Sequence, residues 1–386
     1  MDIVDFTTHR QNEVEILGDG HLFRLPTRFH RSSVSAFWYL VDSLIFSFAV
    51  FSDFCKRQAL YNAQVLHFHS PFPMIAFELA RKVTRRSSVT QVLILTNHNP
   101  RWMNPETSSR KEMLWRFVDI VAMLVSDLVT FESDAVKSRT VALIPDLATK
   151  SVTMWNAPDN SFKTYTPIPG DQNLVLNAAR IAPQKNQLAL VRCIPRVLSR
   201  CPTANFCFVG LVEDRRYYDD IVSTAQLLGV SERLTFFPPM ALSELRTLQE
   251  KAGIHVQIST FTGFDLAVAE SLALGKPLVA SGIPPNREVI RNRENGLLVD
   301  PDSVTEIADA IIELALDNKV RRDISASARE TFLSRLNWDV LSKTLLFFYA
   351  NARSTERRPK GTFLTVVVRA VALTLAITRS NVVRID

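Results

Sequence analysis

The chain has 386 residues, 47% of them apolar and 22% charged, the balance of an ordinary globular protein long enough to build two cores. Its 45 basic residues exceed 39 acidic ones by six, a mild excess that suits an anionic ligand or surface, while the lack of any basic run with interleaved aromatics argues against nucleic acid as a partner. The start MDIVDF lacks the regions of a signal peptide, and Cys55, Cys193, Cys201 and Cys207 show no metal or disulfide spacing, which fits a reduced, cytoplasmic compartment.

Taken in chain order, Ile3–Phe6 and Leu22–Leu25 read as strands joined across Gly18-Asp19-Gly20. Ser35–Phe54 reads as a strongly apolar helix. Val65–Phe68, Val92–Thr96 and Leu128–Phe131 read as strands, with helices over Met74–Lys82 and Lys111–Val125 between them. This alternation predicts a parallel sheet covered by helices. No glycine falls between positions 21 and 169, so a Gly-rich phosphate loop is excluded there and phosphate chemistry belongs to the second half.

Pro167, Pro169 and Gly170 make a hinge, after which the alternation restarts. Strands are expected at Leu174–Leu176, Asn205–Val209, Leu234–Phe237 and His255–Ile258. The intervening helices are Gln187–Arg200, Tyr217–Leu228 and Ser243–Ala252. After Gly296–Val299 come helices at Ser303–Leu316, Val320–Leu333 and Asn337–Ala350. The second half thus reads as a doubly wound Rossmann-like domain.

The densest signal is STFTGFDLAVAESLALGKPLVAS, residues 259–281. Thr262, Gly263 and Asp265 form a polar turn, Leu266–Leu274 a helix, and Leu278–Ala280 a buried strand. Gly275-Lys276-Pro277 stops the helix, with Gly just past its end and Pro following. A turn feeding a helix N-terminus presents backbone N–H groups and a positive dipole end to a phosphate. Glu270, one turn in, can accept hydrogen bonds from sugar hydroxyls. Arg180 and Lys185 stand in NAARIAPQKNQ, directly after a strand, where ligands bind in open α/β sheets.

The block resembles the donor-site signature of retaining glycosyltransferases with the GT-B fold, specifically glycosyltransferase family 4 (group 1). Gly263, Phe264, Leu266 and Glu270 match, while Thr262 stands in place of the first glutamate and Asp265 in place of the second glycine. The resemblance covers nearly all of residues 20 to 350. It implies an α/β chain with two Rossmann-like doubly wound domains facing across a cleft, the first lacking the family's opening strand and glycine loop. The expected divisions are 1–166 for the acceptor side, 167–172 for the hinge, 173–335 for the donor-binding domain, 336–353 for a crossing helix and 354–386 for a tail.

The same resemblance implies a hexosyltransferase that needs no metal or other cofactor, with a nucleotide diphosphate sugar as co-substrate and a glycan or lipid-linked acceptor. Arg180 and Lys185 would neutralise the leaving diphosphate, and Glu270 would hold the donor ribose. The loop of Pro239 would lie against the base, and Thr262, Gly263, Phe264, Asp265 and Leu266 would line the donor. His98 falls at the position near the reaction centre, with His69 at a neighbouring strand end. From the residues alone, Asp265 would repel a bound phosphate unless it caps the helix by accepting backbone N–H bonds, the ordinary role of an aspartate there. His67, His69 and His98 lack a carboxylate or cysteine at ligand spacing for a metal.

In the tail, Arg357, Arg358 and Lys360 precede an apolar run from Phe363 to Ile377 broken by Arg369. The run is too short to span a bilayer, which takes roughly 20 apolar residues. It suits either a membrane surface, at the inner face, or a docked terminal segment. Thr262 and the absent N-terminal loop also leave open a catalytically weak nucleotide-sugar-binding partner at the membrane surface.

Overall fold

The computed structural model describes residues 3–7, 13–17, 20–26, 51–52, 65–83, 92–98, 110–354 and 363–379. The helix expected over Ser35–Phe54 lies outside these except for Phe51 and Ser52, which are helical. Cys55 and the basic residues at 357, 358 and 360 also lie outside. The chain divides into two compact units. The first comprises Met1–Thr130, Val141–Val152 and Asn351–Asp386, the second Phe131–Thr140 and Thr153–Ala350.

The first unit holds two sheets. Strands β1 (Ile3–Thr7), β2 (Glu13–Leu17) and β3 (Gly20–Pro26) form one, in the order β1-β3-β2. β1 runs parallel to β3, and β2 pairs antiparallel with it. This corrects the expected direct step between two strands: β2 intervenes and pairs antiparallel with β3. The second sheet has the order β4 (Val65–Phe68), β5 (Val92–Asn97), β6 (Leu128–Phe131), β7 (Ser151–Thr153). Every residue of β5 is buried, as a strand covered on both faces must be.

Helices α1 (Pro71–Val83) and α2 (Arg110–Val125) contact each other and the second sheet. Lys150 Nζ closes the end of α2 by donating to the carbonyls of Met123, Leu124 and Ser126 at 2.8, 2.9 and 2.8 Å. That places a cation at the negative end of the helix and satisfies carbonyls that lack an intrahelical partner. Helix α3 (Asp134–Leu143) follows β6.

The second unit is a six-stranded parallel sheet in the order β10-β9-β8-β11-β12-β13. Its strands are β8 (Asp171–Ala178), β9 (Asn205–Val209), β10 (Leu234–Phe237), β11 (Ala252–Gln257), β12 (Leu278–Ser281) and β13 (Leu297–Val299). Between them run α4 (Gln187–Arg200), α5 (Arg215–Leu227), α6 (Leu242–Lys251), α7 (Leu266–Ala273) and α8 (Pro284–Val289). Helices α9 (Val304–Leu316), α10 (Asn318–Arg335) and α11 (Trp338–Ser354) follow. Counted within the unit, the order is that of a dinucleotide-type Rossmann sheet, reversing between β8 and β11.

One face of this sheet is packed by α4 and α9 through Leu190, Val191, Ile194, Val197, Ile307 and Ile311, all buried against Val175, Ile254 and Val256. Each such side chain contributes about 2 kcal/mol of burial. Gly275 has φ +60, the left-handed value, and closes α7. Its N–H bonds to the carbonyl of Leu272 and that of Lys276 to the carbonyl of Ser271, the paired bonds of a Schellman cap.

The tail forms helix α12 (Phe363–Arg379), which packs against α2. Ala370, Thr374 and Ile377 are buried, and Arg369 donates twice to Asp146, at 3.1 and 2.8 Å. Among the described residues no helix is long and apolar enough to cross a membrane.

Candidate functional site

Three loops meet at the carboxyl ends of the strands where the sheet order reverses. The loop after β8 carries Arg180 and Lys185, that after β9 carries Glu213, and that after β11 runs from Ser259 into α7. Backbone bonds lace them together. The N–H of Thr260 donates to Gln184 at 3.0 Å, that of Ile181 to Leu211 at 2.8 Å, and that of Glu213 to Ile181 at 3.1 Å. Gly210 is required for this approach. Its φ is +151, and a Cβ there would lie 2.2 Å from the carbonyl oxygen of Ala179.

The loops bring together two cations and two carboxylates. Arg180 pairs with Glu213 at 2.5 Å, both side chains about half exposed. Lys185 Nζ lies 3.4 Å from Asp265 Oδ2, and here both are shielded, with side-chain exposures of 15% and 3%. Ser259 Oγ donates to the same Asp265 oxygen at 3.1 Å.

Asp265 departs from expectation. It occupies the residue before α7, but its side chain makes no capping bond. Its backbone carbonyl accepts the N–H groups of Val268 and Ala269 instead. The carboxylate instead faces the Lys185 ammonium and the Ser259 hydroxyl. Thr262 is buried, and its hydroxyl donates to the carbonyl of Phe264 at 3.0 Å. Gly263 is buried beside it, Phe264 packs on the core around Val268 and Leu272, and Leu266 is exposed.

Glu270 is half-buried on α7 and is held by a residue of α6. Gln249 Nε2 donates to its Oε2 at 2.7 Å. The Gln249 backbone carbonyl in turn accepts from His255 Nε2 at 2.9 Å; a carbonyl can only accept, so that nitrogen carries the proton. Burial pushes the Glu270 carboxyl above its usual range, with Asp265 adding to the rise and the Gln249 bond opposing it. Burial lowers His255 to about 4, so it is neutral.

Pro239 does not join this group. It is exposed after the edge strand β10, two strands away from β8. The preceding Phe236 is half-buried, stacked on Phe208 with ring centroids 5.0 Å apart.

The histidines belong to the first unit, at the ends of β4 and β5. His67 and His69 stack at 4.5 Å and His69 and His98 at 5.2 Å between ring centroids. His69 Nδ1 and His98 Nε2 are 2.9 Å apart. That bond needs one bare nitrogen, so both rings cannot be doubly protonated while it holds. His67 Nε2 lies 2.6 Å from Thr96 Oγ1, which lies 2.6 Å from Thr130 Oγ1. Burial, then the neighbouring histidines, lowers His67 to about 3. Among the described residues no group of three or more His, Cys, Asp or Glu is arranged to hold a metal.

Residues 159–331 match the family model of glycosyl transferases group 1. Sucrose-phosphate synthase from Thermosynechococcus elongatus superposes with a TM-score of 0.73 at 17% identity, covering 92% of this chain and 89% of that one. Anabaena HepE in complex with UDP-glucose gives a TM-score of 0.64 at 18% identity, covering 78% and 82%. The fold is GT-B.

Two curated relatives match over shorter stretches. The GDP-mannose-dependent alpha-(1-6)-phosphatidylinositol monomannoside mannosyltransferase of Mycobacterium tuberculosis is 26% identical over 242 residues, 58% of this chain and 61% of that protein. A D-inositol 3-phosphate glycosyltransferase of Actinosynnema mirum is 29% identical over 184 residues, 46% and 44%. The chain thus spans about half the length of the curated relatives it matches. Within the GT-B frame, the residues reached only through the structure are Glu213, Ser259, Gln249 and His255. Glu213 had one legible sign, its place in the loop after β9; the others look like ordinary core or loop residues.

Proposed function

We propose that the chain is a retaining glycosyltransferase of family 4, moving a hexosyl group from a nucleotide diphosphate sugar to an acceptor hydroxyl in cell-surface glycan or glycolipid synthesis. One observation carries this reading. Arg180, Lys185 and the start of α7, with Glu270 one turn in, converge where the strand order reverses, inside the stretch that matches glycosyl transferases group 1. Anionic ligands bind at such a point because strand-end loops and a helix N-terminus face it together.

In this reading Arg180 grips two phosphate oxygens, Lys185 adds a point charge, and α7 adds its positive end. Together they take up charge as the sugar–diphosphate bond breaks, and the acceptor oxygen bonds to the same face of the sugar while its proton passes to an oxygen of the departing diphosphate. Glu270 accepts from the ribose hydroxyls, and the Thr262–Leu266 turn lines the sugar. Pro239 sits by the base, and His98, supported by His69, acts on the acceptor side. The cations do the neutralising, so the reading requires no metal. In this reading the enzyme works in the cytoplasm, where the buried free thiols of Cys193, Cys201 and Cys207 stay reduced.

Incubating the chain with UDP-, GDP- and ADP-sugars, with and without glycan and glycolipid acceptors, tests the proposal. Release of nucleoside diphosphate with one donor, abolished by Arg180→Ala, is expected, with the anomeric configuration kept in the product. Donor binding with no turnover in any combination would contradict it.

A further inference from the structure

We propose that α12 docks the chain onto an anionic lipid surface through the face it turns away from α2. The helix is apolar on two sides. Ala370, Thr374 and Ile377 are buried, while Leu364, Val368, Val371 and Leu375 are 71%, 61%, 43% and 42% exposed. The four recur at helix spacing, so they form one stripe along the axis. Single exposed apolar side chains are ordinary, but a continuous stripe marks an interaction surface. Arg369 breaks the apolar run in sequence but not the stripe, because Asp146 holds its guanidinium to the side.

Charge selects the occupant. From Arg353 to Asp386 there are seven basic residues (353, 357, 358, 360, 369, 379 and 384) and two acidic ones (356 and 386). Seven minus two is +5, out of +6 for the whole protein. A second copy of the chain would bring the same excess and be repelled. A bilayer bearing anionic headgroups offers both hydrocarbon for the stripe and opposite charge for its flanks. At about 1.5 Å per residue the 17-residue helix is about 26 Å long, and with its inner face already docked it lies along such a surface rather than across it.

The inference needs no donor or acceptor, so it stands or falls apart from the catalytic reading. The full chain is floated with neutral phosphatidylcholine vesicles and with vesicles containing roughly one-third phosphatidylglycerol. Two variants accompany it: Leu364→Ser/Val368→Ser/Val371→Ser/Leu375→Ser, and Arg357→Gln/Arg358→Gln/Lys360→Gln. The unmodified chain is expected on the anionic vesicles alone, with roughly a tenfold loss of binding in each variant and in high salt. The second variant leaves α12 intact, so a loss shared by both cannot be put down to misfolding. Failure of the unmodified chain to bind, equal binding to neutral vesicles, or unchanged binding of both variants would overturn the proposal. A concentration-dependent dimer without vesicle binding, lost in the stripe variant, would assign the face to a second copy instead and overturn it equally.

Discussion

Lys185 Nζ lies 3.4 Å from Asp265 Oδ2 in a shielded position, so the cation proposed to hold a diphosphate already faces a carboxylate of its own chain. A bound phosphate must share Lys185 with Asp265 and bear repulsion from it, and at short range such a term is worth a few kcal/mol before screening. Asp265→Asn keeps an acceptor for Ser259 and removes the charge. It is expected to tighten nucleoside diphosphate binding by about tenfold, or 1.4 kcal/mol, in titration calorimetry. Glu213→Gln should change affinity far less, because the Arg180–Glu213 pair is exposed. Weaker binding by the Asp265 variant would mean that its carboxylate is part of the recognition.

Glu270 is oriented by Gln249 before any ligand arrives. Glu270→Ala is expected to weaken UDP or GDP binding roughly ten- to a hundredfold, the worth of one or two charged hydrogen bonds. It should bind the 2′,3′-dideoxynucleotides as the unmodified chain does. Equal losses for ribose and dideoxyribose forms would place Glu270 away from the sugar.

His98 lies in the first unit, and its Nε2 shares a hydrogen bond with His69. His98→Ala is expected to lower turnover roughly a hundredfold, the cost of losing a group that positions the acceptor, while nucleoside diphosphate affinity stays constant. His69→Asn, which can still donate and accept, should fall between the unmodified chain and His69→Phe. A change in nucleotide affinity with unchanged turnover would assign His98 to donor binding alone.

His255 is buried and neutral, its pKa lowered from 6.5 to about 4. In the unfolded chain the ring takes up a proton near pH 6.5, and in the folded chain only near pH 4. Its contribution is therefore complete above about pH 6.5 and is lost as pH falls towards 4, by about 3 kcal/mol from this residue alone. Thermal melts between pH 7 and 4 should fall steeply, and less so in His255→Gln. A parallel slope in that variant would remove His255 as the cause.

Much of the second unit was legible because its signals are local. The expected bounds of α4, β9 and β10 coincide with the observed ones, since short apolar runs and an amphipathic stripe end at turn residues. Gly275-Lys276-Pro277 ends a helix by backbone chemistry that needs no tertiary context. β2 was missed although Val14 and Ile16 alternate with Glu13 and Glu15, a strand pattern read as a connection. α3 was missed because DAVKSRTVAL shows no apolar stripe and buries only Val136 and Thr140. The bonding of Asp265 was not legible: Lys185 is 80 positions away, and the same aspartate one residue before a helix reads as a cap. The His69–His98 bond likewise joins the ends of two strands 29 positions apart.

We propose a cationic site for a pyrophosphate group, built by Arg180 and Lys185 at the reversal point of the second sheet. It is tested most directly by titrating UDP, GDP and ADP into the intact chain and into Arg180→Ala/Lys185→Ala. Micromolar-range binding of one nucleotide, weakened at least a hundredfold in the double variant (about 3 kcal/mol) with the melting profile unchanged, is the result expected. Undiminished affinity in that variant would contradict the account.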